Sequence, residues 1–112
     1  MKTLNFLILF IFSVSTAAEP ADVSRGKLKA AMCVACHGET GISILPDYPN
    51  LAGQKAGYLQ LALTAYRDGQ RQHQIMAPMA QGLTNQEIID IAAYYAAQQP
   101  IPAAAAKADA SL

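Results

Sequence analysis

Trp is absent from this sequence of 112 residues, and Cys and His occur only twice each. A structural zinc site needs four ligands, so the two Cys and His37 fall one short, and His73 lies far along the chain. The sequence also offers no paired carboxylates and no nucleophile–base set of the kind that acid–base and covalent catalysis use. These shortages favour a protein that is not an enzyme and that holds no structural zinc.

Charge of a single sign is also missing. Lys and Arg together number eight, Asp and Glu together number eight, and charged residues make up only 14% of the chain. Nucleic-acid-binding domains usually present a basic excess, so we expect no nucleic-acid partner.

Long apolar runs are absent except at the N-terminus. Lys2 precedes a short apolar run over residues 4–14, and small residues follow it. This order is typical of a secretory signal peptide, so we predict one at residues 1–18, cleaved near Ala17 or Ala18. The run is shorter than the roughly 20 residues of a membrane-spanning helix. We therefore expect an exported, periplasmic protein with no stable span after cleavage.

The remaining chain reads as one helical domain. No stretch alternates apolar and polar residues as a strand does, which favours an all-α fold with long loops. We assign residues 19–22 to a lead-in, 23–99 to the domain and 100–112 to a flexible Ala- and Pro-rich tail. The predicted helices are one from Asp22 or Ser24 to about Ala35, one over 55–67, and one after Thr84. The predicted loops are a segment rich in Gly and Pro over 38–53 and a second segment over 70–83.

The last helix has the clearest start. Thr84 and Glu87 stand three residues apart and form a capping box, in which each side chain satisfies a free backbone N–H. Ile88, Ile91 and Tyr95 then repeat at helical spacing, and Pro100 ends the pattern.

Cys33, Cys36 and His37 form the pentapeptide Cys-X-X-Cys-His, the attachment signature of c-type haem. Each thiol adds to one haem vinyl group, and two intervening residues on a helical turn let both sulfurs reach one edge of the ring. His37 is then the proximal iron ligand. We predict one haem c, bound covalently through Cys33 and Cys36. A thioredoxin-type dithiol would need a strand–helix unit, and a disulfide closing so small a loop would stabilise little.

Three residues compete for the sixth position of the iron. Met76 and Met79 lie in the second predicted loop, and His73 precedes them in a polar stretch. We prefer Met76 because Pro78 would stiffen the chain just after it, and Met79 would then pack in the pocket, since Met fills irregular gaps.

With these residues the chain resembles the class I c-type cytochromes, most closely the small bacterial monohaem type that also forms each half of certain dihaem periplasmic cytochromes. The resemblance spans Val23 to Gln98. The motifs that carry it are Gly26, the pentapeptide with Gly38, residues 48–54, the methionine segment and residues 91–95.

The resemblance implies a class I cytochrome c fold, three to four helices and long loops wrapped around one covalent haem. It implies that the carbonyl of Pro49 accepts a hydrogen bond from Nδ1 of His37. It also implies that Gly26 lets the first helix cross closely against Tyr94 of the last. Six further residues are expected around the ring: Tyr48, Leu51, Tyr58, Leu59, Leu63 and Leu83. The Lys-rich face of the mitochondrial relatives is missing, which argues against docking through a strongly positive ring of charge.

A haem ligated by both His37 and Met76 leaves no open iron position, which suits outer-sphere electron transfer. We expect a periplasmic carrier that cycles between Fe(III) and Fe(II). Its partners would be a donor dehydrogenase or cytochrome complex and an acceptor such as a terminal oxidase. Two alternatives stay open: a dedicated cytochrome subunit of a periplasmic dehydrogenase, and a gas sensor or peroxidase lacking the sixth ligand.

Overall fold

The computed structural model describes residues 8–101. Residues 8–22 form no helix or strand, and the large apolar side chains in residues 8–14 are exposed. The first seven residues of the predicted signal peptide and residues 102–112 of the predicted tail lie outside the described residues. Among residues 8–101, no helix combines the length and apolar character needed to cross a bilayer.

All regular secondary structure among residues 8–101 is helical. The elements are α1 (Val23–Lys29), a 3₁₀ turn (Ala30–Cys33), α2 (Val34–His37), α3 (Ala56–Arg67), α4 (Met76–Gln81) and α5 (Asn85–Ala96). No strand occurs between residues 8 and 101, which confirms the all-α prediction. The first predicted helix is present as a run from α1 through the 3₁₀ turn into α2, so it continues to His37.

Side chains cap the first and last helices as the sequence predicts. The carboxylate of Asp22 accepts from the backbone N–H of Arg25 at 2.7 Å. The hydroxyl of Thr84 accepts from the N–H of Glu87 at 3.1 Å, and the Glu87 carboxylate accepts from the N–H of Thr84 at 2.9 Å. These bonds satisfy donors that the first helical turn leaves free.

The predicted loop over 70–83 is wrong in its centre, where α4 begins at Met76. The sequence carries no Ser, Thr, Asp or Asn before this helix to signal its start. Pro78 looked like a loop residue, but it lies in the first turn of α4, where a missing N–H costs nothing.

The core lies where α1 crosses α5. A Cβ on Gly26 would lie 2.0 Å from the carbonyl oxygen of Asp90 and 2.9 Å from Cβ of Tyr94. Only a residue without a side chain permits this approach, which confirms the crossing that the resemblance implies. Further apolar side chains of α5 complete the core with α3, against which both α4 and α5 pack.

An ion pair fastens this crossing. Asp90 is 3% exposed, and it accepts from Nε of Arg25 at 2.7 Å and from the N–H of Asp22 at 2.8 Å. Hydrogen bonding from Arg25 is the main cause that lowers the pKa of Asp90 from 3.8 to about 2. The start of α1 is therefore tied to the middle of α5.

Candidate cofactor site

A cavity of about 550 Å³ lies among α3, α5 and the segments that flank them. Its walls include Cys33 and His37 from the first helical run, and Met76 at the start of α4. Most of its other wall residues are apolar or aromatic, which is typical of a pocket that holds an organic cofactor. The cavity therefore brings together Cys33, His37 and one of the two candidate methionines.

His37 is the most informative side chain of this cavity. It is 4% exposed, and its Nδ1 lies 2.8 Å from the carbonyl oxygen of Pro49. A carbonyl only accepts, so Nδ1 carries the proton and Nε2 keeps its lone pair. Nε2 is buried and has no hydrogen-bond partner in the described part of the chain. A buried polar atom without a partner costs about 1–3 kcal/mol, and coordination of a haem iron would remove that cost.

The Gly- and Pro-rich segment over 38–53 holds Pro49 in place. The hydroxyl of Ser43 donates to the carbonyl of Cys36 at 2.7 Å, and the N–H of Ser43 donates to the side chain of Asn50 at 2.7 Å. The N–H of Leu51 donates to the carbonyl of Gly41 at 2.7 Å. These bonds tie the segment both to the Cys36 turn and to itself, so the carbonyl that orients His37 does not depend on a free loop.

The two cysteines are half-buried, and no disulfide joins them. Cys33 lines the cavity, whereas Cys36 does not. Burial raises the pKa of the Cys33 thiol above its ordinary value of 9.0. Among residues 8–101 no group of three His, Cys, Asp or Glu side chains is placed to hold a metal ion.

The structure separates the two methionine candidates. Met76 is half-buried and lines the cavity, whereas Met79 is half-buried but does not line it. His73 also lines the cavity, but its Nδ1 accepts from the N–H groups of Ile75 and Met76 at 3.2 and 3.3 Å. That nitrogen is therefore engaged with the backbone.

Five of the six residues expected around the ring line the cavity. Leu83 is the exception: it is buried in the core beside α5 and does not reach the wall. Leu83 lies in the turn that joins α4 to α5, and its side chain is part of the core cluster.

The sequence patterns do not predict several residues of the cavity wall. Tyr95 is 1% exposed, its hydroxyl has no hydrogen-bond partner among the described residues, and burial raises its pKa. Arg71 lies over the ring of Tyr66 with 4.6 Å between its guanidinium carbon and the ring centroid. Ile91 and Tyr95 stand four residues apart on α5, a spacing that identifies one helix face but not what that face contacts.

The chain is similar in sequence to several known proteins. The family model for cytochrome c matches residues 23–98. Cytochrome c-554(548) of Halomonas halodenitrificans is 52% identical over 81 residues, covering 70% of this chain and 98% of that protein. A thiosulfate dehydrogenase electron acceptor of Thiomonas intermedia is 36% identical over 84 residues, covering 74% of this chain and 39% of that protein.

The fold has solved counterparts. The crystal structure of reduced recombinant cytochrome c4 from Pseudomonas stutzeri superimposes with a TM-score of 0.67 and 36% sequence identity. The match covers 70% of this chain and 46% of that chain, so this chain spans about half the length of the cytochrome c4 polypeptide.

Proposed function

The chain belongs to the cytochrome c family, and on this premise we propose that it is a periplasmic carrier of single electrons with His37 and Met76 as iron ligands. Its haem c is bound covalently through Cys33 and Cys36. The observation that carries the proposal is the buried, unpartnered Nε2 of His37 in a cavity that Met76 also lines.

His37 is prepared for ligation by the chain itself. Donation from Nδ1 to the carbonyl of Pro49 fixes the ring orientation and increases the basicity of Nε2. Because the imidazole is buried and its Nδ1 is hydrogen-bonded to the backbone, the ring is held in one orientation.

Met76, the first residue of α4, supplies a thioether to the same cavity. A thioether ligand favours Fe(II) and raises the reduction potential relative to a second histidine. When bound, the haem supplies a one-electron couple, and the chain's apolar and aromatic walls keep water from the ring.

This arrangement leaves no open position for a substrate, so outer-sphere transfer to another protein is the activity it suits. Partners would be a donor dehydrogenase or cytochrome complex and an acceptor such as a terminal oxidase. The predicted signal peptide at residues 1–18 supports a periplasmic site of action, where haem attachment takes place. The near-balance of charge favours partner contacts that are only weakly electrostatic.

The test compares Met76→Ala with Met79→Ala in purified holoprotein. We expect Met76→Ala to abolish the weak absorption band at the red end that reports Fe(III)–thioether ligation, and to lower the reduction potential. Met79→Ala should keep the band, since Met79 does not line the cavity. A band that survives Met76→Ala but is lost in Met79→Ala would refute the ligand assignment.

A dedicated subunit of a dehydrogenase is the second candidate. The observation that favours it is the name of the Thiomonas intermedia relative, an electron acceptor of thiosulfate dehydrogenase. Size-exclusion chromatography of the native protein from its source separates the two roles. A free carrier elutes at the size of its own chain, whereas a subunit co-elutes with a dehydrogenase.

A further inference from the structure

The backbone N–H groups at the start of α4 donate to a single residue that precedes the helix, His73. Nδ1 of His73 accepts from the N–H of Ile75 at 3.2 Å and from that of Met76 at 3.3 Å. The carbonyl oxygen of His73 accepts from the N–H of Ala77 at 3.1 Å. One residue therefore binds three successive donors at the start of the helix that carries Met76.

The remaining donors of this first turn are also accounted for. Pro78 has no N–H, and the N–H of Met79 donates to the carbonyl of Ile75 at 3.2 Å. Ile75, which directly precedes the helix, has no side chain that could cap it. A six-residue helix has little stability of its own, so the side chain of His73 supplies the capping that α4 lacks elsewhere.

The imidazole is itself held from α3. Its ring meets the ring of Tyr66 edge to face, with 6.4 Å between centroids and 74° between planes. Tyr66 lies in the last turn of α3 and carries the guanidinium of Arg71 over its ring. His73 thus joins the wall of the cavity at Tyr66 to the backbone at Met76.

We propose that His73 is a positioning residue for Met76: its Nδ1 acts as the N-cap of α4 and keeps the thioether directed into the cavity. The inference rests on the proposed function, in which Met76 is the iron ligand. The chemistry is that of an Asx turn, in which a side-chain acceptor binds the N–H groups two and three residues further on. Each of these hydrogen bonds is long and weak. The cap therefore shifts an equilibrium between a closed state, in which the first turn of α4 is formed, and an opened state, in which it is not.

The consequence is measurable through a competing ligand. External imidazole binds the Fe(III) holoprotein only after Met76 has left the iron, so its apparent affinity reports the fraction of opened chains. For His73→Ala we expect a rise of about fivefold in that affinity, the population change that loss of a typical N-cap produces. The Fe(III)–thioether band should weaken in parallel.

Two matched variants separate capping from other roles of the side chain. His73→Asn keeps an acceptor that reaches the same N–H groups but is smaller, so it should return the imidazole affinity to near the parent value. Gln72→Ala removes an exposed neighbour without touching the cap and should leave the affinity unchanged. Recovery in His73→Asn excludes the explanation that a smaller side chain simply opens the cavity.

The outcomes are distinct. An unchanged imidazole affinity in His73→Ala, or an affinity in His73→Asn as high as in His73→Ala, overturns the proposal while leaving Met76 as the ligand. Survival of the thioether band in Met76→Ala overturns the ligand assignment and the positioning role with it. Because His73 is exposed, neither of its substitutions leaves a cavity in the core.

Discussion

The two sides of the cavity are built differently. The attachment side, residues 23–53, carries His37 at the end of a continuous helical run, with 4% of its surface exposed and a 2.8 Å hydrogen bond to Pro49. The methionine side, residues 71–81, presents half-buried Met76 at the start of a six-residue helix. Hydrogen bonds of 3.2 and 3.3 Å to an exposed histidine hold that start.

This difference predicts that the two ligands respond unequally to perturbation. The attachment side is continuous with the crossing of α1 and α5, so it opens only when the core does. The helix α4 packs against α3, but its start at Met76 is held by a few local bonds, and segments held in that way open at a lower free energy than the whole domain. We therefore expect ligand loss at Met76 to precede global unfolding.

The largest effect should come from His37→Ala, which breaks the attachment side at its centre. Because the attachment signature requires its histidine, we expect covalently bound haem to be nearly absent, measured by haem staining of denaturing gels. Met76→Ala is the control on the other side and should retain covalent haem. Equal haem staining of the two variants would mean that covalent attachment does not depend on His37 more than on Met76.

Gly26→Ala should break the scaffold that supports the attachment side. The new Cβ would meet the backbone of Asp90 at 2.0 Å, which only a shift of α1 against α5 can relieve. We expect a loss of about 3 kcal/mol in the free energy of unfolding, measured by denaturant titration of the holoprotein.

The control for this substitution is Gly57→Ala on α3, where nothing lies within 4 Å of the added Cβ. That variant should be stabilised by about 0.5–1 kcal/mol, because Ala is the better helix former. If both substitutions destabilise equally, the close crossing at Gly26 is not what makes it necessary.

A smaller effect is expected from Asp90→Asn. The carboxylate is buried, but the Arg25 side chain that meets it is 44% exposed, so solvent screens part of the interaction. We expect a loss of about 1.5 kcal/mol in the free energy of unfolding at neutral pH.

The effect of Asp90→Asn on the free energy of unfolding should depend on pH. The pKa of Asp90 is lowered from 3.8 to about 2 in the folded chain, so its contribution is present above pH 3.8 and is lost as the pH falls toward 2. The stability difference between parent and Asp90→Asn should therefore shrink over that window, as followed by denaturant titrations at successive pH values. A difference that stays constant down to pH 2 would contradict the role of the ionised carboxylate.

Patterns among residues close together in the chain predict much of this structure. The capping pattern at Thr84 and Glu87 identified the start of α5, because a capping box is formed by residues three apart in the chain. The short helix α4 was missed for the converse reason: its cap is a histidine, which the usual N-cap preferences do not include. The family resemblance implied a place for Leu83 around the ring, but the side chain is buried in the core instead, and its apolar character indicates burial without saying which buried surface it joins.

The sequence by itself determined the haem attachment at Cys33 and Cys36, the all-α class and the limits of the main helices. These depend on residues close together in the chain, whose spacing sets what they can reach. Only the tertiary structure decided that Met76 and not Met79 lines the cavity, and that Tyr95 and Arg71 join its wall. Those facts depend on how helices distant in the chain pack against each other, and the helical period alone cannot say which neighbour each face meets.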